Sequence, residues 1–251
     1  MNTKKIIIAN WKMNPQTAGE ALRLVKSILV QRLSKDIELI IAPPFVYIEL
    51  IKKICGREIK LAAQNINRAE RGAYTGEISG LMVKNLGCDY VIIGHSERRY
   101  EMGETDEMIN LKLKAAFKVG LAPILAVGEK EADDDISKVL TRQIKSALEG
   151  IGVSEIGRLI IAYEPVWAIG TGLADTADHA LSAALLIRKV VGNLYGPEWA
   201  SDLPVLYGGS VSGENAADFI VQNGINGALV GSASLEPENF LKIIKAAEIN
   251  E

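Results

Sequence analysis

Eight short apolar runs punctuate the chain: Ile6–Ala9, Leu39–Ala42, Ile59–Ala63, Val91–Ile93, Pro123–Val127, Leu159–Ala162, Val205–Tyr207 and Ala228–Val230. They are rich in branched residues and do not alternate apolar with polar. Runs of this kind suit parallel strands covered on both faces. Between them the period lengthens. Ala18, Ala21, Leu22, Val25 and Leu29 fall on one helical face, and Phe240, Ile243, Ile244 and Ala247 on another. Eight strand–helix units predict an α/β chain, either closed as a barrel or open as a doubly wound sheet. After the first strand stand Asn10, Trp11 and Lys12 rather than a GxGxxG dinucleotide fingerprint. No Pro/Gly/Ser linker divides the chain. The expectation is therefore one closed (β/α)8 barrel with eight parallel strands, a single domain over residues 1–251.

Composition narrows the class of protein. Of 251 residues, 48% are hydrophobic and 24% charged, enough apolar material for a core and too little charge for disorder. A net charge of −3 gives no electrostatic case for a nucleic-acid partner. Cys55 and Cys88 have no CxxC spacing, so neither a disulfide framework nor a metal set is read from them. They suit a reducing compartment. Ile6, Ile7 and Ile8 are too short a run for a signal peptide. No run approaches the ~20 apolar residues of a membrane helix. The expectation is a cytoplasmic protein with no membrane partner.

In a barrel of this type functional groups collect where strands end. Asn10 and Lys12 follow the first run, Gln64 and Asn65 the third, His95 the fourth and Glu164 the sixth. Pro165 biases Glu164 toward extended backbone, which aims a carboxylate into the barrel mouth, where it can act as a base. A solvated acid at a loop start is the plainer alternative. Ser96 is placed to cap a helical turn, setting His95 at a helix N-terminus, where a neutral imidazole is favoured. A histidine that merely ties strand to loop fits as well. The Lys12 ammonium can meet a phosphate or a developing oxyanion, although lysines are usually solvated. Glu97 can pair with Lys12 or cap its own turn. His179 reads as an ordinary helix residue. Tyr207-Gly208-Gly209-Ser210 and Val230-Gly231-Ser232-Ala233-Ser234 follow the last two strands, and their N–H groups can ring a phosphate. Val166 to Gly172, apolar and ending in glycines, reads as a lid over the site or as a loop packed on the rim.

Taken together these residues resemble the triosephosphate isomerase family over the whole chain. The strings that carry the likeness are Ala9-Asn10-Trp11-Lys12-Met13-Asn14, Gly72-Ala73-Tyr74-Thr75-Gly76-Glu77, Gly94-His95-Ser96-Glu97-Arg98-Arg99, Tyr163-Glu164-Pro165-Val166-Trp167-Ala168-Ile169-Gly170-Thr171-Gly172, and the two late glycine segments. The resemblance implies a TIM barrel that interconverts dihydroxyacetone phosphate and glyceraldehyde 3-phosphate without a cofactor or metal. It implies Glu164 as the base and His95 as a neutral electrophile, the scheme established for that family. It implies that Lys12 and Asn10 bind substrate and stabilise the enediolate, that Glu97 supports them, and that the backbone of Gly170, Ser210, Gly231 and Ser232 holds the phosphate. It also implies a homodimer through the loop around Thr75. Two positions depart from the family pattern. Ala126 stands where a cysteine is common, and Ser232 where a second glycine often follows the eighth strand. Other phosphate-binding barrels, or a phosphosugar binder without catalysis, would share the glycine segments but would not need Lys12, His95 and Glu164 together.

Overall fold

The computed structural model describes residues 4–30, 34–169 and 175–248. The strands are β1 Lys5–Asn10, β2 Ile37–Ala42, β3 Ile59–Ala63, β4 Tyr90–Ile93, β5 Ala122–Val127, β6 Ile160–Tyr163, β7 Val205–Tyr207 and β8 Gly227–Val230. Each pairs in parallel with the next, and β8 pairs with β1. The sheet is closed, so the open doubly wound alternative falls away. Every apolar run read from the sequence lies within a strand or one residue from it.

The absence of alternation in those runs now has its cause. Ile6 and Ile8 of β1 point into the barrel, where they meet Ile40, Ala62, Ile92, Ile124, Ala162, Leu206 and Leu229. Ile7 and Ala9, of the opposite parity, pack into the layer between sheet and helices. Both faces of the sheet are dry, so both parities are apolar. Each such aliphatic side chain contributes about 1.5–3 kcal/mol by leaving water.

The covering helices are α1 Ala18–Leu29, α2 Phe45–Cys55, α3 Gly80–Asn85, α4 Ser96–Tyr100, α5 Asp106–Lys118, α6 Ile136–Leu148, α7 Val153–Ile156, α8 Ala177–Tyr195, α9 Pro197–Asp202, α10 Ala216–Ile220 and α11 Pro237–Glu248. Helix α1 starts at a capping box in which Thr17 accepts from the N–H of Glu20 and the Glu20 carboxylate accepts from the N–H of Thr17. Its buried stripe is Ala21, Val25 and Ile28. Ala18, expected on that stripe, is exposed because it sits at the solvent end of the first turn. Phe240, Ile243, Ile244 and Ala247 of α11 are buried as read from their spacing.

Beyond the last inward-facing core residues the same parity reaches polar groups and glycines. Asn10 follows Ile8, Gln64 follows Ala62, Glu164 follows Ala162, Gly208 follows Leu206 and Gly231 follows Leu229. The strand period that fills the core therefore also aims the functional groups at one end of the barrel.

Candidate active site at the barrel mouth

Asn10, Lys12, His95, Glu164, Ile169, Gly208, Gly209, Ser210, Val211, Leu229, Gly231 and Ser232 line one cavity of ≈ 100 Å³. That is well below the ~300–1,000 Å³ of pockets for drug-sized ligands, and it suits a small metabolite. Five chain segments, distant in sequence, meet there.

Glu164 is buried, with its N–H donating to Val127 O of β5 at 2.8 Å. Its Oε2 accepts the backbone N–H of Ser96 at 2.9 Å. Its Oε1 lies 3.3 Å from His95 Nε2 and has no aligned hydrogen bond among the described residues. The carboxylate thus keeps one oxygen held and one free toward the cavity. Gly208 gives it room, since a Cβ there would stand 3.0 Å from Glu164 Cγ and 3.2 Å from Tyr163 O.

His95 is off the inward parity of β4, and Gly94 explains how it enters the mouth. Gly94 has φ +76, a left-handed turn that rotates the following residue. His95, rather than Ser96 as expected, is the N-cap of α4, and Ser96 is the first helical residue. The imidazole ring does the capping, because Nδ1 accepts the N–H of Glu97 at 3.3 Å. A ring nitrogen that accepts from an amide carries no proton. This arrangement selects the neutral tautomer with its proton on Nε2, the nitrogen that faces Glu164 and the cavity.

Lys12 has φ +53 and is the one non-glycine residue with positive φ among the described residues. Three partners hold it there. Its N–H donates to Asn10 Oδ1 at 3.1 Å, its carbonyl accepts from Gln64 Nε2 at 2.8 Å, and its Nζ donates to Glu97 Oε1 at 2.6 Å. Glu97 is half exposed and touches the cavity residues through Lys12 and through the His95 ring, whose Nδ1 lies 3.7 Å from Glu97 Oε2. Asn65 does not line the cavity. Its side chain accepts from Lys112 in a buried group with Glu104, to which both Lys112 and Arg98 donate. Burial pushes the Lys112 ammonium below the usual lysine range.

On the glycine side, Ser210, Gly231 and Ser232 all line the cavity. Ser232 begins a 3-10 turn, Ser232–Leu235, without a positive φ, so its departure from glycine leaves the backbone N–H usable. Ala126 is fully buried at the end of β5, and its carbonyl accepts from Arg99 Nη2 at 3.0 Å. Gly170, expected to bind phosphate, and the rest of the lid from Gly170 to Gly172 lie outside the described residues. Val166–Ala168 of that segment forms a 3-10 turn.

Two groups behind the site were not singled out by sequence. Glu129 is buried and accepts from Tyr163 OH at 2.9 Å and Trp167 Nε1 at 2.7 Å. Burial, then this carboxylate, raises the Tyr163 phenol far above the tyrosine range. His179 lies on α8 as expected of a helix residue, but its Nδ1 stands 2.9 Å from both oxygens of Asp175. The partners of Glu129 are brought to it from β6 and the turn after it, without a local sequence signal, whereas Asp175 and His179 are four residues apart at the start of α8. Among the described residues no cluster of His, Cys, Asp and Glu is arranged to hold a metal ion, and no helix is long and apolar enough to cross a membrane.

A family model described as triosephosphate isomerase matches residues 5–247. A protein of Dehalococcoides mccartyi named triosephosphate isomerase is 50% identical over 253 residues, covering 98% of this chain and 98% of its own length. One of Dictyoglomus thermophilum with the same name is 46% identical over 250 residues, covering 97% and 99%. One of Thermoanaerobacter pseudethanolicus, also so named, is 45% identical over 245 residues, covering 96% and 98%.

Proposed function

This chain belongs to the triosephosphate isomerase family, and on that premise we infer how the barrel mouth carries out the reaction. The enzyme is an aldose–ketose isomerase that interconverts dihydroxyacetone phosphate and glyceraldehyde 3-phosphate, a step of glycolysis. The chemistry moves a proton between adjacent carbons through an enediolate; one carbon is oxidised as its neighbour is reduced, so no external oxidant or reductant is needed.

In our reading Glu164 is the base that carries the proton, and His95 donates from Nε2 to the substrate oxygens. Lys12 offsets the charge of the enediolate, and Asn10 binds substrate beside it. Glu97 holds the Lys12 ammonium in place. The backbone of Ser210, Gly231 and Ser232, together with Gly170, holds the phosphate. The observation that carries this reading is the 3.3 Å approach of Glu164 Oε1 to His95 Nε2 inside a cavity bordered by Lys12 and two glycine segments. A proton acceptor and a donor that face one small space are what a 1,2-proton shift requires.

The fold acts as one domain over the whole chain in this reading. The protein works as a cytoplasmic homodimer, a reading supported by family membership and, for the dimer, by the exposure of each residue of Arg71–Glu77 around Thr75. The test is a coupled assay with glyceraldehyde 3-phosphate on wild type and Glu164→Gln. Positioned general-base catalysis is worth about 10²–10⁴-fold, so kcat is expected to fall by at least ~10² with little change in KM. An unchanged kcat removes Glu164 from the reaction.

A further inference from the structure

Arg99 takes no part in the chemistry assigned above, yet it joins the backbones of two residues that do, His95 and Glu164. It stands at the fourth position of α4, the short helix that His95 caps. Its guanidinium is almost wholly buried and makes three separate bonds. Nε donates to Gly94 O at 2.7 Å, the carbonyl just before His95. Nη2 donates to Ala126 O at 3.0 Å, at the end of β5. Nη1 donates to Asp106 Oδ1 at 2.7 Å, and Asp106 in turn accepts from Arg142.

The bond to Ala126 reaches Glu164 through one further step. The next carbonyl of β5, Val127 O, accepts the N–H of Glu164. The guanidinium therefore bridges the backbone that presents His95 and the backbone that carries Glu164. Arg99 and Glu164 also border one narrow space with Gly94, Ser96, Tyr100, Val127, Gly128 and Val166, and that space has no room for a water molecule.

We propose that Arg99 is a positioning residue for the isomerisation: its planar fork sets the separation of Glu164 and His95 by tying the end of β4 to the end of β5. This rests on the assignment of Glu164 and His95 as base and electrophile. A fork with fixed geometry is needed because two carbonyls and a carboxylate must be met at once. A lysine has the charge but is a single point donor that cannot span all three. Misplacement of reacting groups by about 1 Å is worth ~10² in rate. The phosphate end of the cavity, at Ser210 and Gly231, is built by β7 and β8 and does not depend on this clamp.

The experiment measures kcat, KM and inhibition by inorganic phosphate for wild type, Arg99→Lys, Asp106→Asn and Glu164→Gln. For Arg99→Lys the expected result is a kcat lower by about 10- to 100-fold, with KM and the phosphate inhibition constant within ~3-fold of wild type. A wild-type kcat overturns the proposal. So does a loss of kcat matched by an equal weakening of phosphate inhibition, which marks a scaffold role for the whole mouth. If Arg99→Lys does not fold, Asp106→Asn decides. It takes away the negative charge that, through Asp106 Oδ1, orients the fork toward Gly94 O and Ala126 O, so a lowered kcat at unchanged phosphate inhibition supports the clamp while an unchanged kcat refutes it. Activity retained in Glu164→Gln would instead overturn the assignment of the base, independently of Arg99.

Discussion

At the scale of single residues, the site is held by bonds that fix protonation and backbone rather than by bulk packing. His95 makes the point most directly. Its Nδ1 accepts a backbone N–H, and a protonated ring could not do this without losing that bond and exposing a donor to a donor. Nitrogen NMR of the labelled ring at pH 7.5 should show a pyridine-like Nδ1 and a protonated Nε2. An imidazolium signal, or the opposite tautomer, would contradict the donor role. Lys12 shows a different economy. A left-handed lysine costs roughly 1–2 kcal/mol, and its backbone bonds to Asn10 and Gln64 offset that cost while the ammonium is delivered beside Gly231. The two cysteines are inert by the same kind of reasoning. Burial pushes the Cys55 thiol up to about 11 and the Cys88 thiol up to about 12. The thiolate is the reactive form, so at pH 8 neither should be alkylated by iodoacetamide in the native enzyme, whereas both should react in denaturant. Rapid native labelling of either, read by mass spectrometry, would show that its segment opens.

At the scale of elements, the turn between β4 and α4 is where sequence and geometry constrain one another most. Gly94 combines φ +76 with crowding, since a Cβ would meet Arg99 Nη2 at 2.9 Å and Ala126 O at 3.2 Å. Gly94→Ala should lower stability by about 1–2 kcal/mol from backbone strain alone, measured by denaturant unfolding, and should lower kcat because His95 follows directly. A variant with wild-type stability and rate would mean that the turn adapts freely. The strands were legible in the sequence because burial on both faces writes itself as uninterrupted apolar runs. The site was legible because strand parity carries the chain past Ile8, Ala62 and Ala162 to Asn10, Gln64 and Glu164. Short helices such as α3, α7 and α10 were not legible, since one or two turns are too few to establish a period. The capping by His95 was missed because the local pattern favours the hydroxyl of Ser96. Glu129, and the bond of Arg99 to Ala126, were missed because the partners lie on different strands and have no fixed spacing along the chain, whereas Asp175 stands four residues before His179, a spacing the sequence carried but did not single out.

At the scale of the whole molecule, one flank of the barrel mouth is unusually apolar for a surface. Met13 follows β1, Tyr74 and Met82 follow β3, and Met102 follows β4, and each is at least half exposed. All four belong to segments at the end of the barrel that carries the site. Large exposed apolar side chains on several segments at one end of the barrel favour a surface that a partner covers. The loop Arg71–Glu77 among them is exposed along its whole length, and in the reading proposed above a second copy of the chain is that partner. If the loop docks beside the site of the other protomer, association and activity are linked, because a partner that binds only the folded form stabilises it by mass action. Sedimentation at low micromolar concentration should then give a dimer, and the midpoint of thermal unfolding should rise as protein concentration is raised. Thr75→Arg, which puts a bulky charge on the loop far from the barrel core, should shift the equilibrium toward monomer and lower specific activity at nanomolar concentration, with recovery as concentration increases. A monomer of undiminished specific activity across that range would separate catalysis from assembly and leave the exposed flank without its proposed occupant.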